Sequence, residues 1–211
     1  MRVEIWSDVI CPWCYIGRRR FERALDRFAG RDGVEVVLRS YELDPNAAPD
    51  TDVTAVEFVA EKYGMTVDQV QRQHARISDL AAAEGLEYHL ERTRPTNTLD
   101  AHRLLQLASV RHVRPAVEER FERGYFTEGA DLGNSATLLR LATEGGLGEV
   151  DARRVLVGQA FTLQVRMDEK DAASLGATGV PFFVFDRARA ISGAQPIEVF
   201  ERALASNSPT G

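Results

Sequence analysis

The sequence predicts an α/β fold whose sheet is assembled from two separated stretches of chain, with a large helical domain inserted between them. Three patterns predict it. A strand-like run, VEIWSDV at residues 3–9, leads into Cys11-Pro12-Trp13-Cys14 and then into an amphipathic helical stretch. From about residue 52 the pattern is helical until well past residue 160. Strand patterns return at VPFFVFD (180–186) and ARAISG (188–193), followed by one more helix. The order is therefore βαβ, a helical block, then ββα. The expected divisions are residues 1–45 and 166–211 for the sheet-bearing domain and residues 46–165 for the insert.

Each element has a local reason. Residues 14–28 place Ile16, Phe21, Leu25 and Phe28 near one helical face. Gly30 to Gly33 form a turn, and residues 34–43 read as a second strand with Val34, Val36 and Leu38 alternating on one side. Strand, helix and strand make a right-handed βαβ unit. DPNAAPD (44–50) breaks it, since its two prolines favour an extended or turning chain. The helix in VTAVEFVAEKYG closes on Gly64 as a C-cap. Thr66 with Gln69 forms a capping box for a helix carrying Val70, Ile77 and Leu80 towards Gly85. After the polar stretch ERTRPTNT comes the helix LDAHRLLQLASVR, capped by Asn97 or Thr98. Pro115 suits the first turn of a helix running to about Tyr125. Asn134 or Ser135 caps a helix ending at Gly145-Gly146, Asp151 caps a short helix to Val157, and QAFTLQVRMDEKDAASLG is a long one. The two returning strands are close enough for a hairpin, and Pro196 opens the terminal helix, PIEVFERALA.

Composition narrows the function classes. A chain of 211 residues with 44% hydrophobic content can bury a sizeable core. A net charge of −6 offers no general attraction for nucleic acid or anionic lipid. Arg18-Arg19-Arg20 is the one compact basic run near the motif and reads as a solvated helix face. VPFFVF is far too short to span a bilayer. Met1-Arg2 leads straight into the first strand with no apolar targeting segment, so the expected location is cytoplasmic.

Both cysteines of the chain lie in one C-x-x-C. A bridge across so short a loop constrains an unfolded chain little, so the pair points to chemistry rather than to a staple. Placed between a strand and a helix, Cys11 sits at a helix N-terminus, where unpaired backbone N–H groups favour a thiolate. Asp8, three residues earlier, opposes that. No zinc site is expected: His74, His89, His102 and His112 form no H-x₃₋₅-H pair to complete one C-x-x-C. His74 and His102 read as helix-packing or surface residues. Pro181 at the head of a strand needs no special explanation on its own.

Element order and motif together resemble the thioredoxin fold. The helical block between the sheet halves is similar to the DsbA family. IWSDVICPWCYIGRRRFERAL, SYELDP, NTLDAHRL, YFTEGADL, GATGVPFFVFD and ISGAQPIEVF resemble the FrnE-type cytoplasmic branch of that family, over residues 5–200.

The resemblance implies a thiol–disulfide oxidoreductase or disulfide isomerase. Cys11 would be an exposed nucleophile attacking a substrate disulfide, and Cys14 the resolving thiol. Pro12 and Trp13 would tune the motif. Pro181, in a cis peptide bond, would pack beside Cys11 and keep metal ions from the pair, leaving the backbone of Val180 to bind an extended peptide. The helical insert would roof the dithiol. Substrates would be disulfide-containing polypeptides or small thiols, with no bound cofactor and glutathione as a candidate redox partner. Redox direction and oligomeric state stay open, a homodimer among the options. Two rivals also stay open: a non-enzymatic holdase, and a glutathione-binding isomerase or transferase of the kappa or 2-hydroxychromene-2-carboxylate isomerase type. In the latter relatives the region of Asn97 helps line the cleft, and a serine usually stands where this chain has Cys11.

Overall fold

Arg2–Ser7 (β1) is extended because its residues alternate between two covered faces. Val3 and Ile5 point one way, Glu4 and Trp6 the other, and all four are buried. The computed structural model describes residues 1–48 and 53–206. After β1 come α1 (Pro12–Arg27), β2 (Glu35–Ser40), α2 (Ala55–Tyr63), α3 (Val67–Ala83), α4 (Leu99–Val110), α5 (Arg114–Phe126), α6 (Ser135–Glu144), α7 (Glu149–Val157) and α8 (Thr162–Ser174). β3 (Phe182–Phe185), β4 (Arg189–Ser192) and α9 (Ile197–Ser206) complete the fold. The predicted α/β class with a helical insertion is what the structure has. Of the break expected at 44–50, residues 49 and 50 lie outside the described residues. Among the described residues, no helix is long and apolar enough to cross a membrane.

The chain divides into two compact units: Met1–Leu43 with Arg166–Gly211, and Asp44–Val165. The first unit holds the sheet, ordered β2-β1-β3-β4, with β1 parallel to β2 and the other neighbours antiparallel. One face carries Val3, Ile5, Phe183 and Phe185, packed under Phe21 of α1 and Phe200 and Leu204 of α9. The other carries Trp6, Phe182 and Val184 against Ala172 of α8. Glu4 shares that second face and is tied to Arg39 and Arg187. Trp6 Nε1 donates to the Asp168 carbonyl at 2.8 Å, and Ser40 N donates to the Asp168 carboxylate at 3.0 Å.

The second unit is helical. Thr54 with Glu57 and Thr66 with Gln69 form capping boxes at α2 and α3. Gly64, at φ 62°, closes α2 in a left-handed conformation that glycine adopts without strain. Asn134 caps α6, its side chain accepting from Ala136 and Thr137 N–H. Asp151 does not cap α7. Gly148 precedes the helix, and Asp151 lies inside its first turn with its carboxylate 2.6 Å from Arg111. Arg103 of α4, almost wholly buried, donates to the carbonyls of Val155, Gly158 and Ala160 around the end of α7, and to Asp100. Tyr88 stacks on Phe126 with ring centroids 4.5 Å apart.

Candidate active site

The chain leaves β1 at Ser7 and turns at once, Cys11 N–H donating to Asp8 O at 3.1 Å. Cys11 is the N-cap of α1, with extended backbone (φ −87°, ψ 111°). Pro12 opens the helix, where its missing N–H would have had no helical partner. Trp13 and Cys14 complete the first turn, and Cys14 N–H donates to Cys11 O at 3.0 Å. The helix thus begins two residues earlier than periodicity alone suggests. C-P-W-C is the helix start rather than a loop before it.

The pairing Trp6↔Phe182 places the beginning of β3 beside the end of β1. Val180 and Pro181 are therefore brought to the dithiol, and the peptide bond between them is cis. The Cys11 thiol points at Val180 O, 3.7 Å away. Pro181 O is occupied on its other side, accepting from Gly193 N–H at 2.8 Å.

Both cysteines are free thiols. Contrary to the expectation of an exposed nucleophile, Cys11 is buried, with 3% of its surface accessible, and Cys14 is fully buried. Cys11 sits in the corner where the chain turns into the helix, its N–H held by Asp8 O and its thiol directed inward at Val180 O rather than out to solvent. Trp13 is the exposed member of the motif and Pro12 is half-buried. Burial pushes the Cys14 thiol well above its ordinary range. Its hydrogen bond to Cys11 and the charges of Cys11 and Asp8 act in the same direction, against a backbone hydrogen bond from Asp8. Asp8 is itself fully buried, its carboxylate accepting from Leu43 N–H at 2.8 Å. Sequence reasoning set Asp8 against Cys11. The structure also links it to Cys14, a pairing that needed the turn geometry to be seen.

The basic run beside the motif is not a solvated face. Arg18 is buried, paired with Glu22 at 2.9 Å, and its guanidinium lies over the Tyr15 ring at 5.2 Å. Arg19 shares both partners. Arg20 reaches across to Ala194 O at 2.7 Å. A flat cation satisfied by an aromatic ring and a carboxylate one turn away can leave water.

His102 is buried in α4 and His74 half-buried in α3, where burial lowers its pKa. Among the described residues, no three His, Cys, Asp or Glu side chains gather as a metal site. Asn97 serves the start of α4, its side chain accepting from Leu99 N–H at 3.0 Å.

This sheet order, a dithiol at the start of the helix after β1, and a cis-proline entering β3 define the thioredoxin-fold class. Within it, the chain belongs to the DsbA-like thioredoxin domain family, which it matches over residues 2–205. It is similar to a structure from Streptomyces coelicolor described as a probable DsbA oxidoreductase: 47% identical, TM-score 0.96, covering 100% of this chain and 92% of that one. The Bacillus subtilis protein YwbO is 26% identical over 97% of this chain and 96% of its own. The cytosolic disulfide reductase DsbM from Pseudomonas aeruginosa, solved with GSH, shares the fold at 16% identity and TM-score 0.67, with 98% of each chain covered.

Proposed function

We propose that this chain exchanges disulfides through Cys11 and Cys14, as a cytoplasmic reductase or isomerase of the FrnE-like branch. The observation that carries the reading is the juxtaposition at the head of α1. The Cys11 sulfur faces Val180 O at 3.7 Å, with Cys14 hydrogen-bonded behind it.

In the forward direction the Cys11 thiolate attacks one sulfur of a substrate disulfide. A Cys11–substrate disulfide forms, and the other substrate sulfur leaves as a thiolate. Cys14 then gives up its proton and attacks the Cys11 sulfur, expelling the second substrate thiol. The dithiol ends oxidised and the substrate reduced by the same two electrons. Because burial holds Cys14 protonated, it stays out of the first step, and its deprotonation belongs to the second. Isomerisation stops at the mixed disulfide and lets another substrate thiol attack. The low exposure of Cys11 supports narrow substrates, namely an extended peptide aligned along Val180 or a small thiol such as glutathione, which would also serve to regenerate the pair. Pro12 and Trp13 set the geometry and polarity of the helix start.

Insulin reduction and recovery of scrambled ribonuclease test this reading in the parent, Cys11→Ser and Cys14→Ser. Cys11→Ser is expected to be inactive in both assays. Cys14→Ser is expected to accumulate a covalent adduct at Cys11, seen by intact mass under non-reducing conditions, and to stop net reduction. Parental rates in Cys11→Ser would sink the proposal. No disulfide cycling in the parent, with glutathione-dependent isomerase activity that survives in Cys14→Ser, would instead favour glutathione-assisted isomerisation.

A further inference from the structure

Gly17 lies in the second turn of α1, where glycine weakens a helix relative to alanine. Close approach explains it. A Cβ at this position would lie 3.0 Å from Pro181 Cγ, 3.3 Å from Ala194 Cα and 3.4 Å from Ala194 Cβ. One turn further along, Arg20 Nη1 donates to Ala194 O at 2.7 Å. Ala194 follows Gly193, whose N–H donates to Pro181 O at 2.8 Å and whose φ of 82° suits glycine. The contacts close a ring from α1 to the 193–195 turn, to Pro181, and back to α1.

Cys11 is fixed to the same helix, as its N-cap. A single rigid element therefore carries the nucleophile at its start and, one to two turns later, the surface on which Pro181 rests. We propose that Gly17 and Arg20 are positioning residues: by seating Pro181 and the Ala194 turn on α1, they fix the height of the Val180 carbonyl over the Cys11 sulfur. That height sets the alignment of an extended substrate's disulfide with Cys11. The inference deepens the disulfide-exchange reading and rests on it.

A Cβ at residue 17 displaces Pro181 by a few tenths of an ångström, and misplacement by a full ångström can cost about a hundredfold in rate. Gly17→Ala is therefore expected to lower kcat/KM for a disulfide-bonded peptide about fivefold, and Gly17→Val more than about tenfold, mainly through kcat. Alkylation of Cys11 by iodoacetamide, which needs no strand alignment, should stay within about twofold of the parent. Arg20→Gln, which adds no atoms to the crowded face and is too short to reach Ala194 O, should reduce kcat/KM about threefold, and Arg20→Lys, which keeps a long cationic donor, should restore most of it. Equal kcat/KM in Gly17→Val and Arg20→Gln and the parent overturns the proposal, as does loss of alkylation in step with exchange. The amide exchange of Gly193 is a readout independent of activity. Faster exchange in Gly17→Ala and Arg20→Gln supports the ring of contacts, and unchanged exchange refutes it. If the parent itself exchanges no disulfide, the functional reading falls, while Gly193 still decides the positioning role.

Discussion

The two faces of the four-stranded sheet are built from the same strands by different physics. Under α1 and α9 the contact is aromatic and dry: Phe21 lies 5.8 Å from Phe183, and Phe183 lies 4.7 Å from Phe200, ring centre to ring centre. Towards α8 the apolar cluster is smaller, and a buried carboxylate stands beside it. Glu4 accepts from Arg39 at 2.6 Å and from Arg187 at 2.8 Å. Those arginines reach on to Asp168 at 3.1 Å and Asp171 at 2.6 Å. The first face depends on area removed from water, which is indifferent to pH and to exact direction. The second depends on charge state and alignment, because a buried carboxylate is tolerable only while its partners hold it.

The largest effect is expected on the aromatic face. Phe183→Ala should destabilise the protein by about 4 kcal/mol, measured by urea unfolding, with the same loss at neutral and mildly acidic pH. On the charged face Glu4→Gln should cost about 2 kcal/mol at neutral pH, below the range for a wholly buried pair, since Arg187 remains half-exposed and can turn to water. That loss should depend on pH. Burial opposes ionisation of Glu4, but hydrogen bonds from Arg187 and Arg39 outweigh it and hold the carboxyl below its ordinary value of 4.5. A depressed folded-state pKa contributes stability above the unfolded value and loses it as pH falls through the folded one. Parent and Glu4→Gln should therefore converge in unfolding free energy as the solution is taken well below pH 4.5, while Phe183→Ala stays apart. A uniform gap for Glu4→Gln across that range would erase the contrast between the faces. Arg27→Ala, which removes the exposed 3.0 Å contact to Glu201, should cost less than about 0.5 kcal/mol.

The contrast also separates what was legible in the sequence from what was not. The runs VEIWSDV and VPFFVFD were legible as strands, and Cys11-Pro12-Trp13-Cys14 marked the junction of strand and helix. Local chemistry was equally readable at Gly64 and at Thr66 with Gln69. The box of Thr54 and Glu57 follows the same rule and was open to the same reading. Hidden were features whose partners are distant in sequence. Nothing near Glu4 announces Arg39 or Arg187. Arg18 is a different case: its partners Tyr15 and Glu22 lie within one helical turn, and its charge alone gave the wrong reading. The partner of the Cys11 thiol is the Val180 carbonyl, 169 residues away. Gly17 did leave a signal, a glycine inside a helix, but its meaning required knowing that Pro181 lies against it.

The guanidinium of Arg103 carries a consequence for how the helical unit opens. The carbonyls that end α7 are normally satisfied by neighbours in sequence or by water. Here a side chain from α4, some fifty residues earlier, satisfies Val155 O and Gly158 O, and Ala160 O just beyond them. Fraying of that terminus is coupled to α4, because it takes the backbone acceptors from a buried guanidinium and leaves it Asp100 alone. Solvent should therefore reach the amides at the end of α7 only when α4 releases its grip, so the two segments would breathe in concert as one cooperative block.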